Sequence, residues 1–187
     1  AAVIVQLVQE GKLSLDDPIA RFFPDYPQPG AAATVRQLLQ HTSGIQSYTN
    51  MPGAMAPENI AKARTTAEMI AWFRDQPAPS KPGEAWAYNN SGYVMLGAII
   101  EAATGKSWHA AVDERIARPL GLTTIRYGVN GEDTPAMAKG YSGEPGAAEI
   151  ASPIHMSVPH AAGALIGTVG DLATWAQALH HGKVVDD

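Results

Sequence analysis

The chain has 187 residues, of which 45% are hydrophobic and 17% are charged. This composition is typical of a globular protein with a sizeable core, organised as one large domain or as one domain and part of another. The net charge is -5 and no cluster of lysine and arginine occurs, which argues against nucleic-acid binding. The chain has no cysteine, so disulfides, thiol nucleophiles and zinc-thiolate sites are excluded. No apolar run reaches the roughly 18 residues that a membrane span needs.

The first segment, residues 1–8, is apolar and predicts the second half of a buried helix that ends at Gly11. No charged region precedes it and no small-residue cleavage pattern follows it, so it does not match a signal peptide. Because the chain starts inside a helical pattern, we expect it to be a fragment of a longer protein.

Capping residues mark the next helices. Thr34 with Gln37, and Thr65 with Glu68, match the capping-box pattern, in which two side chains bind the first backbone N–H groups of a helix. The apolar positions that follow predict one helix that ends at residues 41–44 and another that ends near residue 75. Two later helices are predicted, from Ser107 to about Pro119 and from Thr168 to Gly182, and between them an antiparallel hairpin that pairs residues 123–129 with residues 138–142.

The stretch Pro82–Gly105 is the most informative part of the sequence. A turn and a short aromatic segment lead to Tyr88 and Asn90, and the apolar run of residues 93–103 predicts a helix buried on most sides. Spacing alone leaves two interpretations open. Either Tyr88 and Asn90 are held rigidly at a catalytic site, or the segment contains a tyrosine packed on the core and an asparagine that caps the helix.

Residues 45–64 form a loop that is longer than most connections inside compact domains, and loops of this length are usually functional or mobile. Within it, Gln46 and Tyr48 either line a cleft as substrate-binding residues or are solvated loop residues. His41, just before the loop, is expected to bond backbone groups behind the cleft rather than to react. His155 and His160 have no carboxylate partners at metal-ligand spacing, so we predict no metal site.

Four stretches carry a resemblance when they are taken together: residues 38–44, which read LLQHTSG; residues 82–97, which contain Tyr-x-Asn; residues 119–122; and residues 161–173. In this order and spacing the chain resembles the serine β-lactamase-like superfamily. It is most similar to the branch that contains class C β-lactamases, D-alanyl-D-alanine peptidases and family VIII esterases.

The resemblance implies a serine hydrolase that acts through an acyl-enzyme on an amide or ester, without a cofactor. Tyr88 is then the general base and acid that serves the nucleophilic serine and the leaving group, since a serine hydroxyl is a poor nucleophile until a base removes its proton. Asn90 is then a donor to the acyl-amide part of a small-molecule or short-peptide substrate. A periplasmic or secreted location also follows from the resemblance alone.

The sequence departs from the superfamily in one respect. No Ser-x-x-Lys motif occurs among the 187 residues, and the only match to a closing Lys-Thr-Gly or His-x-Gly motif, at residues 180–182, is interpreted as a helix C-terminus. The resemblance places residues 1–11 at the end of the helix that carries the nucleophile, so we expect the Ser-x-x-Lys motif before Ala1. Residues 12–182 are then the helical region that carries Tyr-x-Asn.

We therefore predict a single fragment, 1–187, that is mainly α with a small antiparallel hairpin, and that lacks most of the β-sheet domain of the superfamily. The first functional hypothesis is a serine hydrolase whose fragment is inactive alone, with a β-lactam, a D-Ala peptide or a small ester as substrate. The alternative is a non-catalytic helical module that keeps the family shape and binds a partner. In either case we expect self-association or a complementary fragment.

Overall fold

The protein is described by a computed structural model that covers residues 1–144 and 146–186. It is mainly helical. In chain order the α-helices are α1 (Ala2–Gln9), α2 (Ile19–Phe22), α3 (Val35–Leu39), α4 (Pro57–Ile60), α5 (Thr66–Phe73), α6 (Asn90–Thr104), α7 (Trp108–Val112), α8 (His160–Gly163) and α9 (Val169–His180). Short 3₁₀ turns lie at Gly30–Ala32 and Tyr48–Asn50, and a π-helical stretch, Asp113–Ala117, continues α7. None of the helices in these residues is long and apolar enough to cross a membrane.

Helix α6 is the centre of the core. It contacts α1, α3, α5, α7 and α8, and its side chains from Val94 to Ile100 are buried on nearly all sides. Gly97 permits the closest of these contacts, because a Cβ atom there would lie 2.6 Å from the Cβ of Ala161. Burying a large apolar side chain contributes roughly 1.5–3 kcal/mol, so the buried side chains of this helix stabilise the fold substantially.

The helix ends follow the local sequence. Both capping boxes are present: Thr34 accepts from the N–H of Gln37, and Thr65 accepts from the N–H of Glu68. Gly105 ends α6 in the left-handed conformation, with φ of 68°, which an L-residue adopts at a cost. The prediction of these helices is confirmed. The helix predicted from Ser107 differs, because after five α-helical residues it changes to the π-helical stretch.

The predicted pairing of residues 123–129 with residues 138–142 is wrong. Strand β1 (Arg126–Tyr127) pairs antiparallel with β4 (Leu165–Ile166), and β2 (Tyr141–Ser142) pairs antiparallel with β3 (Glu149–Ile150). A small antiparallel hairpin is present, but it is β2–β3 and not the pairing that the sequence predicted.

The reason for the different pairing lies just before β1. The backbone N–H and the hydroxyl of Thr124 both donate to the carboxylate of Asp171, at 2.7 and 2.6 Å, and these hydrogen bonds hold the pKa of Asp171 below its usual range. Because Asp171 is in the first turn of α9, the contact places β1 beside the segment that leads into that helix. The tertiary contact decides the pairing.

Candidate active site

The loop that carries Tyr88 is tied to the turn after α3 by backbone hydrogen bonds. The N–H of Gly83 donates to the carbonyl of Thr42 at 2.7 Å, and the N–H of Ala87 donates to the carbonyl of His41 at 2.9 Å. The N–H of Asn89 donates to Nδ1 of His41 at 3.1 Å. The loop therefore enters α6 along a defined path.

Tyr88 lies in this loop segment, on the surface of the protein. Its side chain is 59% exposed, and its ring centroid is 4.7 Å from that of His41. Trp86, two residues earlier, is 68% exposed and contacts the edge of the same histidine ring. Tyr88 is therefore not a core residue: its phenol is accessible while the backbone on both sides of it is held.

The two asparagines after Tyr88 have different surroundings. Asn89 is buried and caps α6: its Oδ1 accepts from the N–H of Gly92 at 3.0 Å and its Nδ2 donates to the carbonyl of Ile45 at 2.6 Å. The helix-capping role that we considered for this segment thus belongs to Asn89. Asn90, one residue later, is only half-buried and is not needed as the cap.

Asn90 is held by two hydroxyl groups of the loop that follows α3. Its backbone N–H donates to Oγ of Ser47 at 3.2 Å, and its side-chain Nδ2 donates to Oγ1 of Thr49 at 3.1 Å. The two hydroxyls lie 3.0 Å apart and bond each other. Asn90 is therefore positioned beside Tyr88 by a polar network that the sequence did not reveal.

Tyr48 is placed in the core, away from solvent. It is 2% exposed, its hydroxyl donates to the carbonyl of Val158 at 2.8 Å, and burial raises its pKa to about 12. Its backbone N–H donates to the buried hydroxyl of Ser91 at 2.8 Å. Neither of the two roles that the sequence left open for Tyr48, cleft lining or solvated loop, fits this environment. The hydrogen bonds of Tyr48 instead attach its loop to Ser91 in α6 and to Val158.

Gln46 is half-buried, and its Nε2 donates to the carbonyl of Ser47 at 3.2 Å. Its side chain borders a cavity of about 400 Å³ together with Phe73 and Arg74. Neither Tyr88 nor Asn90 lines this cavity. Tyr88 and Asn90 thus lie two residues apart where the loop enters α6, while Gln46 borders a cavity that neither of them lines.

A larger cavity, of about 1000 Å³, is also not lined by Tyr88. Its lining is mainly apolar and includes the exposed first turn of α9; among the lining residues are Ala1, Tyr93, Gly97, Trp108, Leu165 and Leu172. The chemistry of a site is set by its reactive groups rather than by volume, so we place the candidate active site at Tyr88 and Asn90. Among residues 1–144 and 146–186, no three His, Asp or Glu side chains gather as metal ligands would.

The family model described as Beta-lactamase matches residues 1–187 of the chain. The chain belongs to the beta-lactamase family. Its whole length is matched, so the candidate site at Tyr88 and Asn90 lies within the family domain.

Individual relatives in the beta-lactamase family agree with this result. The chain is 30% identical over 185 residues to the putative penicillin-binding protein PbpX of Bacillus subtilis (strain 168). That alignment covers 98% of this chain and 44% of PbpX. It is 29% identical over 180 residues to esterase EstB of Burkholderia gladioli, covering 89% of this chain and 45% of the esterase. Among solved structures, the D-stereospecific amidohydrolase from Streptomyces sp. superposes with a TM-score of 0.90 at 32% identity, covering 100% of this chain and 59% of that one. The chain thus spans less than half the length of the two curated relatives.

Three residues around the site were not predicted as part of it, namely His41, Ser47 and Thr49. The only signal for them in the sequence of this beta-lactamase-family chain is their position near the HTSG turn of residues 41–44. His41 was expected to bond backbone groups, and it does so. Its contact with the Tyr88 ring required the structure.

Proposed function

We propose that the protein to which this chain belongs is a serine hydrolase that forms an acyl-enzyme with an amide or an ester. The observation that carries the proposal is the state of Tyr88. Its phenol is accessible, yet the N–H groups of its two neighbours, Ala87 and Asn89, are both bound to His41. A general base needs this combination of access and fixed geometry.

The roles follow from the chemistry of acyl transfer. The nucleophilic serine is supplied by a part of the protein outside these 187 residues, because no Ser-x-x-Lys motif occurs among them. As its Oγ attacks the carbonyl carbon, the Tyr88 oxygen accepts the hydroxyl proton and then returns it to the leaving nitrogen or oxygen. Water then attacks the carbonyl carbon of the acyl-serine while the Tyr88 oxygen accepts its proton. The bond from that carbon to Oγ breaks, and Oγ takes the proton as the acid leaves. Asn90 binds the acyl side of the substrate with its amide group.

The substrate class is proposed from the relatives. The three relatives named above are a putative penicillin-binding protein, an esterase and a D-stereospecific amidohydrolase. We propose small amides and esters of D-configured or β-lactam acyl groups as the first substrates to test. No cofactor takes part in this proposal.

The proposal is tested in the full-length protein. Tyr88→Phe removes only the hydroxyl and should lower kcat by about 10²- to 10⁴-fold, the usual contribution of a general base. Tyr141→Phe is the matched control, since Tyr141 is 63% exposed on β2 and should leave kcat unchanged. The substrates are a D-amino acid amide, a short-chain p-nitrophenyl ester and a chromogenic cephalosporin, and mass spectrometry should detect the acyl-enzyme.

Two results would reject the proposal. Equal turnover by the wild type and Tyr88→Phe would show that Tyr88 is not the base. Absence of turnover and of any acyl-enzyme for all three substrates would favour the alternative, a helical module that binds a partner without catalysis.

A further inference from the structure

The backbone of His41 has an unusual conformation. Its φ is 59°, in the left-handed region, where residues other than glycine are uncommon. The residue follows α3 directly before the turn that ends at Gly44. A left-handed residue reverses the chain direction at a helix end, and here it points the carbonyl of His41 toward the Tyr88 loop.

His41 binds the chain on both sides of Tyr88. Its carbonyl accepts the N–H of Ala87 at 2.9 Å, and its Nδ1 accepts the N–H of Asn89 at 3.1 Å. Because Nδ1 accepts a hydrogen bond, it carries a lone pair, so the proton of the neutral ring is on Nε2. One residue therefore determines the position of the amide groups before and after the tyrosine.

The ring of His41 also contacts the tyrosine itself. The ring centroids of His41 and Tyr88 are 4.7 Å apart, and Tyr93 of α6 stacks on the same histidine ring at 5.1 Å and 24°. Trp86 meets the ring edge at 6.2 Å. Tyr93 is half-buried and belongs to the helix that forms the core. The histidine ring thus connects the accessible Tyr88 to a rigid element.

We propose that His41 is a positioning residue for Tyr88, acting through its left-handed carbonyl, its Nδ1 acceptor and its ring face. The inference rests on the proposed function only where it concerns catalysis. His41 does not contact the reacting atoms, and it takes part in no bond-making or bond-breaking step. It holds the phenol in a fixed orientation, as proton exchange with the serine requires.

Three substitutions separate the parts of this role. His41→Asn keeps an acceptor at the position of Nδ1, because Oδ1 of asparagine is also bonded to Cγ, and asparagine tolerates the left-handed region. His41→Gln moves the acceptor one bond further away. His41→Gly keeps the left-handed backbone and removes the whole side chain. His180→Asn, on the last turn of α9, is the control for a histidine-to-asparagine change.

The first measurement is nuclear magnetic resonance on the 187-residue chain, which does not depend on catalysis. We expect ¹⁵N shifts that show an unprotonated Nδ1 and a protonated Nε2 in His41. The amide of Asn89 should keep its wild-type protection from hydrogen exchange in His41→Asn and lose protection in His41→Gln and His41→Gly. The Tyr88 ring resonances should move in all three variants and stay unchanged in His180→Asn.

The second measurement is steady-state kinetics of the full-length protein. His41→Gly should lower kcat by about 10- to 100-fold, as a displacement of about 1 Å at a reacting group does, with KM within about 3-fold of wild type. His41→Asn should recover a large part of that loss, and His41→Gln should not.

The inference is overturned if Nδ1 of His41 is protonated, or if the Asn89 amide is as well protected in His41→Gln as in His41→Asn. It is also overturned if kcat of His41→Gly stays within about 2-fold of wild type while Tyr88→Phe is inactive. Full activity of Tyr88→Phe is a different outcome. It rejects the proposed function, while the resonance experiment on the chain still decides whether His41 holds Tyr88.

Discussion

The side-chain amide of Asn90 donates a hydrogen bond to the hydroxyl of Thr49 at 3.1 Å. The same hydroxyl lies 3.0 Å from Oγ of Ser47, which in turn accepts the backbone N–H of Asn90. These contacts fix one of the two N–H groups of the amide. Under the proposed function, its second N–H and its carbonyl oxygen are the groups that approach the substrate.

A first prediction follows for Thr49. In the full-length protein, Thr49→Val removes the acceptor of the Asn90 amide and should lower kcat/KM for an amide substrate by about 5- to 50-fold, the effect of one lost hydrogen bond at a partly buried site. Thr49→Ser keeps the hydroxyl and is expected to stay within about 2-fold of wild type. Equal kcat/KM for the two variants would mean that Thr49 does not orient Asn90.

A second prediction concerns the contact between α6 and α8. A Cβ at Gly97 would lie 2.6 Å from the Cβ of Ala161, so Gly97→Ala overpacks the core and should lower the free energy of unfolding by about 1–3 kcal/mol. Gly92→Ala is the matched control in the same helix, since its Cβ would meet the carbonyl of Leu38 at an ordinary 3.5 Å. Urea denaturation measures both. A smaller loss at Gly97 than at Gly92 would contradict this view of the packing.

His160 in α8 is a buried imidazole with an incomplete set of partners. It is 4% exposed, and its Nε2 lies 3.1 Å from the hydroxyl of Thr66. Within the part of the chain that the structure describes, Nδ1 has no hydrogen-bond partner. Burial lowers the pKa of His160 from 6.5 to about 4; the charge of Glu101 acts in the opposite direction and His109 adds to the lowering.

The third prediction is a stability profile set by this histidine. Its pKa in the folded state is below the unfolded value, so its contribution to stability is fully present above pH 6.5 and is lost as the pH falls toward about 4. The free energy lost in that window is at most about 3 kcal/mol. His160→Asn, which tolerates the φ of 44° found there and does not titrate, should flatten the profile.

The profile is measured by urea denaturation of the chain between pH 4 and pH 7.5 in steps of about 0.5 unit. His181→Asn is the control, because His181 is exposed at the end of α9 and should leave the slope unchanged. If wild type and His160→Asn lose stability in parallel over this range, His160 is not the group responsible.

A fourth prediction is that the 187-residue chain does not turn over a chromogenic cephalosporin or a short-chain p-nitrophenyl ester. Groups that act as a unit in catalysis contribute little when the nucleophile is absent, and the chain contains no Ser-x-x-Lys motif. The measurement is product release by the purified chain beside the Tyr88→Phe chain. Faster release by the unsubstituted chain would show that these residues contain a nucleophile of their own.

A fifth prediction is self-association through the rim of the large cavity. Val169 is 85% exposed and Leu172 is 50% exposed, and both line that cavity at the start of α9. Contiguous exposed apolar surface favours association, so Val169→Ser should weaken it. Val129→Ser is the matched control, since Val129 is 60% exposed and does not line the cavity. Sedimentation of a concentration-independent monomer for the unsubstituted chain would refute the prediction.

The sequence alone determined the features whose partners are close in the chain. The capping boxes at Thr34 and Thr65 each join residues three positions apart, so a short motif was enough to locate the helix starts. The buried helix α6 was visible as a continuous apolar run between an asparagine cap and Gly105. Tyr88 and Asn90 were identified through a resemblance in motif order, which needs no coordinates.

Tertiary structure decided the features whose partners are distant in the chain. The loop residue Tyr48 became a core residue because Ser91 and Val158, 43 and 110 positions away, bind its N–H and its hydroxyl. Strand β1 paired with a segment near α9 because Asp171 binds Thr124. His41 came to hold Tyr88 through a hydrogen bond across 48 positions and a left-handed backbone. Such contacts depend on how the elements pack together, and no local pattern encodes that packing.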